Sequence, residues 1–190
     1  MESNMNDITP PSIICRRLGP SDADDYRTLR LFCLRTSPEA FGSIYEEEVR
    51  KPKLAYERFI EDADPDHFIF GAFDGAQLIG IVGFARGDRT KTRHRGEIVQ
   101  VFVHPDHRRQ GVGEKLMCAV IAAAFAQEGV DQLELGAMAD NHAAIQLYEA
   151  LGFRTFGVHP SYFKVGGQSW DQQLMQLLKR DLSERPISKG

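Results

Sequence analysis

Apolar residues recur along this chain with two periods, and the places where one period gives way to the other predict its elements. Residues 13–18 read as a first strand. Ser21 with Asp24 forms a candidate capping box, after which Tyr26, Leu29, Phe32 and Cys33 fall at helical spacing. Pro38 ends that helix. Residues 45–61 read as a second helical stretch, interrupted near Pro52. Residues 67–73 and 77–86 read as strands joined by an Asp74-Gly75 turn. Residues 97–103 form the next strand, and the apolar-periodic segment 112–127 a long helix. A short strand at 132–137 follows. Ala144, Leu147, Tyr148 and Leu151 then share one helical face, with Gly152 suited to the position just past the helix end. Residues 153–159 and 168–178 complete the set as strands. Strands and helices in this order predict an α+β fold, layered α/β/α.

The junction between residues 101 and 113 concentrates the chemistry. Val101, Phe102 and Val103 run through His104 into Pro105, and a short loop brings Arg108, Arg109 and Gln110 ahead of Gly111, Val112 and Gly113. Glycines where a strand meets a helix let backbone approach an anion closely. The free amides of a helix start point at that anion, and the helix dipole favours its charge. Arginine adds forked donors suited to phosphate. The segment therefore reads as a site for a phosphate-bearing cofactor. A Walker loop is excluded, because Gly113 is followed by Glu114 and Lys115 with no hydroxyl residue for magnesium. A dinucleotide fingerprint is excluded because position 116 is Leu. The pattern left is R-x-x-G-x-G, carried by Arg108, Gly111 and Gly113.

Composition narrows the class. A chain of 190 residues with 42% hydrophobic content suits one enzyme-sized domain, expected over residues 12–182 with flexible tails at 1–11 and 183–190. No apolar run approaches the ~18 residues of a membrane span, and the first residues lack a signal-peptide layout. Cys15, Cys33 and Cys118 are odd in number and widely spaced, which points to reduced thiols in a cytoplasm. Cys118 is expected as a small buried hydrophobe on the long helix. The net charge of −4 gives no pull toward nucleic acid. His104 and His107 form an H-x-x-H that Pro105 breaks, with no third ligand nearby, so no metal is expected.

The phosphate loop and its setting resemble the GNAT superfamily of N-acetyltransferases. Asn141-His-Ala-Ala-Ile-Gln-Leu-Tyr-Glu-Ala-Leu-Gly-Phe153 is similar to the family's second signature, N-x-x-A-x-x-L-Y-x-x-x-G-F, at the family's distance from the loop. Ser37-Pro-Glu-Ala-Phe-Gly-Ser43, followed by a glutamate run, looks like a segment of many small bacterial members. The resemblance spans roughly residues 12–180. It implies a mixed, mostly antiparallel sheet of six to seven strands flanked by about four helices. It also implies acetyl-CoA as cosubstrate. The diphosphate would lie on Arg108, Arg109, Gln110, Gly111, Val112 and Gly113, and the pantetheine arm along Val101, Phe102 and Val103 with Asn141 beside it. The acceptor would be a small-molecule or protein amine, and homodimers are frequent in the family.

Two residues carry the implied catalysis. Tyr148 matches the family's proton donor to the departing thiolate; otherwise it is a core tyrosine beside Leu147 and Leu151. Glu97 falls where one branch of the family has its general base, and strict alternation would put it on one face with Val99, Val101 and Val103. Its alternative is a strand-start glutamate paired with Arg93 or Arg95. Asn141 is also a candidate helix cap. Trp170 with Tyr162 and Phe163 either packs a hairpin, the favoured reading, or forms an acceptor wall. The basic run from Arg86 to Arg95 reads first as a solvated hairpin tip, and Glu46, Glu47 and Glu48 as a solvated helix start. Two functions stay open: acetyl transfer to an amine, and a catalytically silent acyl-CoA-binding module.

Overall fold

The computed structural model describes residues 13–183. The tails expected to be flexible lie outside these residues, apart from Ser183. Seven strands make one sheet: β1 (Ile14–Arg17), β2 (His67–Asp74), β3 (Gln77–Arg86), β4 (Arg95–Val103), β5 (Gln132–Met138), β6 (Arg154–Val165) and β7 (Gln168–Leu178). Their order is β1-β2-β3-β4-β5-β7-β6. Every neighbouring pair is antiparallel except β4 with β5. The helices are α1 (Ala23–Thr36), α2 (Tyr45–Glu48), α3 (Ala55–Glu61), α4 (Val112–Phe125), α5 (His142–Ala150) and α6 (Lys179–Ser183). The predicted α+β class and mixed, mostly antiparallel sheet are found; β7 has the expected bounds, and β6 runs on to Val165 where 153–159 was expected. No helix among the described residues is long and apolar enough to cross a membrane.

Each face of the sheet buries its own core. On one face Leu116, Met117, Val120 and Ala124 of α4 pack with Phe84, Ile98, Leu133 and Met175. On the other, Leu29 and Leu34 of α1 and Ile60 of α3 pack with Ile69, Ile81 and Phe102. At about 25 cal/mol per Å² of apolar surface, these two stripes dominate the stabilisation. Cys118 does not join them. It is exposed, because helical spacing turns position 118 away from the stripe that 116, 117 and 120 bury.

Two local starts differ from expectation. The Ser21/Asp24 capping box does not form. A short 3-10 turn, Pro20–Asp22, comes first, and Asp22 accepts from the Gly19 amide at 2.8 Å. Arg16 also donates to Asp22 at 2.7 Å and holds its carboxyl below the usual range. Pairing of the buried Asp22 with an exposed arginine has displaced the simpler cap. In the β2–β3 hairpin Asp74 pairs with Gln77, so the two-residue loop is Gly75-Ala76, with Gly75 at φ +58°.

The feature that shapes the site is a bulge in β4. Ile81 pairs with Phe102 and Gly83 with Val99, so β4 has one residue more than β3 over that stretch. Gln100 takes the left-handed conformation, φ +56°, which is uncommon for a residue with a side chain. The buried Tyr26 hydroxyl donates to Gln100 Oε1 at 2.8 Å and pins it. The extra residue inverts the alternation. Ile98 joins the α4 core ahead of the bulge, whereas Val101 and Val103 join it after. Val99 packs near Ile69 on the opposite face. Glu97 and Val99 therefore do not share a face with Val101 and Val103, contrary to strict alternation.

Tyr26→Phe leaves Gln100 without its donor. It is expected to lower stability by about 1–3 kcal/mol, seen as a lower urea midpoint at unchanged m-value.

Candidate active site

β4 and β5 pair over three positions: Arg95 with Gln132, Gly96 with Leu133 and Glu97 with Glu134. Beyond these, β4 stays with β3 and β5 with β7. The two strands part, and a cavity of about 430 Å³ opens between them. Residues 97–101 line one wall and residues 135–138 the other. Asn141 just before α5, Tyr148 of α5, Phe41 and Gly42 before α2, and Phe163 of β6 add to the lining.

The loop after β4 leads into α4. A 3-10 turn at Pro105–His107 is followed by Arg109 at φ +60° and by Gly111 at φ +76°, the residue before the helix. The amides of Val112, Gly113 and Glu114 have no intrahelical acceptor, and the dipole makes this end positive. The two arginines have different placements. Arg108 Nε donates to the Val103 carbonyl at 3.0 Å, and its guanidinium lies 5.7 Å from the Phe102 ring centre. It fastens the loop to the end of β4. Arg109 is exposed and makes no hydrogen bond or ion pair among the described residues. Gln110 Nε2 donates to the Asp106 carbonyl at 3.1 Å and tightens the turn. The two glycines differ as well. Gly111 needs its positive φ, whereas a Cβ on Gly113 would meet Leu147 at an ordinary 3.4 Å.

Glu97 faces the cavity. Its two expected partners are engaged elsewhere: Arg95 pairs with Glu134 at 3.0 Å and Arg93 with Asp66 at 2.9 Å. Glu97 itself has no hydrogen bond or ion pair among the described residues. Its surface is open to the cavity, yet protein atoms surround it, so desolvation is partial. That desolvation, then the Glu134 charge, lifts its carboxyl above the ordinary value. Tyr148 is 6% exposed, and its ring packs 6.1 Å from that of Phe153. Burial pushes its phenol up to about 12, so it stays protonated at neutral pH. Its hydroxyl has no protein partner among the described residues and is not sealed off from the cavity. Core packing and an unpartnered hydroxyl open to the cavity coexist in this side chain. Asn141 likewise combines two positions: Oδ1 accepts from the Ala144 amide at 3.2 Å as a helix cap, and the residue lines the cavity.

Several site residues had no sequence signal. Gln100 enters through the bulge. Arg30 and Tyr56 come from helices far along the chain, and Glu134 becomes a neighbour of Glu97 only through the parallel pairing. Tyr162 and Phe163 line the cavity, while Trp170 pairs with Phe163 in the hairpin and stays outside it. The basic run is partly structural: Arg86 donates to the carbonyls of Arg93 and Glu128, besides the Arg93 and Arg95 ion pairs. Glu48 pairs with Lys51 at 2.6 Å. His104 stacks on Phe32 at 4.8 Å, and no group of three or more His, Cys, Asp and Glu is placed to hold a metal among the described residues.

Residues 30–153 match the profile of the acetyltransferase (GNAT) family, and the chain belongs to it. It is an N-acetyltransferase by class. The chain is 34% identical over 116 residues to the N-alpha-acetyltransferase RimI of Mycobacterium tuberculosis, covering 61% of this chain and 69% of that one. It is 32% identical over 116 residues to an uncharacterized Mycobacterium leprae protein, of which it spans only 30%. The fold is similar to yncA of Salmonella typhimurium, solved with acetyl-CoA, at TM-score 0.72 and 19% identity over 94% of this chain and 98% of that one.

Gly111→Val forces a β-branched residue into left-handed backbone and is expected to weaken acetyl-CoA binding roughly tenfold or more by calorimetry. Gly113→Ala, with ordinary contacts and no such strain, changes it little.

Proposed function

We propose that this chain transfers an acetyl group from acetyl-CoA to a primary amine by direct attack within a ternary complex. The observation that carries this reading is the parted sheet. The cleft has unpaired strand edges, an unpaired carboxylate and a protonated phenol, and the strand that forms one wall leads on to an open helix start. The diphosphate fits the amides of residues 110–113 with Arg109 beside them. The amide-containing pantetheine arm fits the β4 edge near Val101, Phe102 and Val103, which has no strand partner toward β5. Asn141 stands where that arm would pass. That yncA was solved with acetyl-CoA supports the placement, and that RimI is named an N-alpha-acetyltransferase supports an α-amine acceptor.

An ammonium cannot attack, so the acceptor must first lose a proton. Glu97 is placed to receive it, directly or through one water. The amine nitrogen then adds to the thioester carbonyl, and the tetrahedral intermediate breaks its C–S bond while its nitrogen gives up the second proton. That proton passes by way of solvent to the departing thiolate, so that the products are the amide and the free thiol. The thiolate departs beside Tyr148. A thiol of pKa ~8.5–10 is weaker as a base than the phenolate of Tyr148. Full proton transfer is therefore uphill, and Tyr148 acts chiefly as a hydrogen-bond donor to the developing sulfur charge. A silent binding module has no use for an unpaired Glu97, and release of free thiol separates the two functions.

Tyr148→Phe is expected to lower kcat roughly 10- to 100-fold with the KM for acetyl-CoA nearly unchanged; an unchanged kcat removes the donor role. Glu97→Gln is expected to lower turnover and abolish the acidic limb of the pH–rate profile. The carboxyl's value is raised in the folded state, so its contribution to stability is present below the ordinary carboxyl range. That contribution is lost as pH rises through the raised value. Glu97→Gln is therefore also expected to raise the melting temperature at pH 7 while reducing activity.

A further inference from the structure

Three charged residues are buried among the described residues, and they are not treated alike. Asp22 pairs with Arg16 at 2.7 Å, and Glu57 with Arg27 at 2.8 Å. Arg30, in the middle of α1, is 6% exposed and has no carboxylate within ion-pair distance. Its guanidinium lies 4.7 Å from the Phe41 ring centre, and Nη1 donates only to Cys33 Sγ at 3.5 Å, a weak acceptor. A guanidinium has five N–H donors, and a buried charge without a partner is costly. The one fully buried side-chain polar atom left unsatisfied among the described residues is Gln127 Oε1. The spare donors of Arg30 are thus not sealed in apolar core; they open on the cavity, which Arg30 lines.

The cavity has a charge gradient. Glu97, an unpaired carboxylate, lines it where β4 and β5 part. Tyr56 lies within the field of both ends: burial and then the Glu97 charge raise its phenol, while Arg30 acts in the opposite sense. The acetyl and thioester groups of the cosubstrate are neutral, and its phosphates fit the start of α4. The anion missing from Arg30 is therefore one that the acceptor brings.

We infer that Arg30 binds a carboxylate of the acceptor, so the preferred substrate is an amine that bears an acidic group and spans the cavity from Glu97 to Arg30. The Phe41 ring holds the guanidinium plane, and forked, charge-assisted donors recognise the carboxylate. This rests on the acetyl-transfer reading and specifies its acceptor. The carboxylate has two sources: a free amino acid, or an acidic residue at the start of a peptide.

The test compares acceptors that differ only in that group. Free-thiol release from acetyl-CoA is measured with alanine against alaninamide, and with peptides starting in aspartate against the same peptides starting in asparagine. The acidic member of at least one pair is expected to have about 10- to 100-fold higher kcat/KM. The pair that shows it identifies the source. Arg30→Gln is expected to erase the ratio chiefly through the acceptor KM, and Arg30→Lys to keep part of it. The ratio is taken within one preparation, so partial loss of folded variant does not alter it, and the wild-type ratio decides even if Arg30→Gln fails to fold. Equal rates within both pairs, or a ratio that survives Arg30→Gln, overturn the assignment. Turnover of neutral amines without that ratio removes only the role of Arg30, whereas no thiol release with any amine removes the acetyl-transfer reading with it.

Discussion

The parting of β4 from β5 is the constraint on which the site depends. Backbone N–H and C=O groups are obligatory hydrogen-bonding groups, and leaving two rows of them unpaired in mid-sheet is unfavourable. The gap is nonetheless held from both sides. On one side the bulge at Gln100 re-aims β4, and the Tyr26 hydroxyl fixes it. On the other, β5 is drawn along β7 from Gln132↔Leu178 to Met138↔Gln172. Gly136 helps there: a Cβ on it would fall 2.2 Å from the Gln172 amide nitrogen. Cores on both faces keep the layers in place around the opening. The vacant edges are thus a consequence of packing, and an extended chain with its own amides is the natural group to satisfy them.

The cleft divides its work between backbone and side chains. At the α4 end the free groups are amides and a helix dipole, which suit an anion without side-chain reorganisation. Arg108 is occupied in joining the loop to the Val103 carbonyl, which leaves Arg109 as the exposed charge without a partner among the described residues. At the β4–β5 fork, side chains take over. Glu97, Tyr148 and Arg30 each reach the cavity with polar atoms that the protein does not satisfy. The chemistry therefore sits where the backbone pairing ends.

Much of this was legible in the sequence, and the misses share a cause. The apolar runs of β2, β3 and β4, the stripe of α4 and the face of α5 depend on neighbours within a few residues. The loop glycines are read from the same short range. Gln100 is different, because its conformation is held by a tyrosine 74 residues away. No local pattern shows a bulge at a glutamine, so strict alternation put Glu97 on the wrong face relative to Val101 and Val103. The Ser21/Asp24 box yielded to Asp22 because Arg16, on another element, captured the nearer carboxylate. Arg30 and Glu134 gain meaning only once α1 and β5 are brought against β4.

Where charges are left unpaired is itself informative. The protein can pair buried charges, as Asp22 and Glu57 show. It leaves Glu97 unpaired although Arg95 lies on the same strand two residues away, and gives that arginine to Glu134 instead. Pairing Glu97 would relieve its partial desolvation but would pull its carboxyl down and block the face that lines the cavity. Pairing Arg30 would neutralise the opposite end of the same cavity. Both omissions lower the stability of the empty protein. Both fall on one 430 Å³ cavity, and at opposite signs. Random imperfection would scatter such costs over the fold, whereas their convergence marks the surface that a ligand completes.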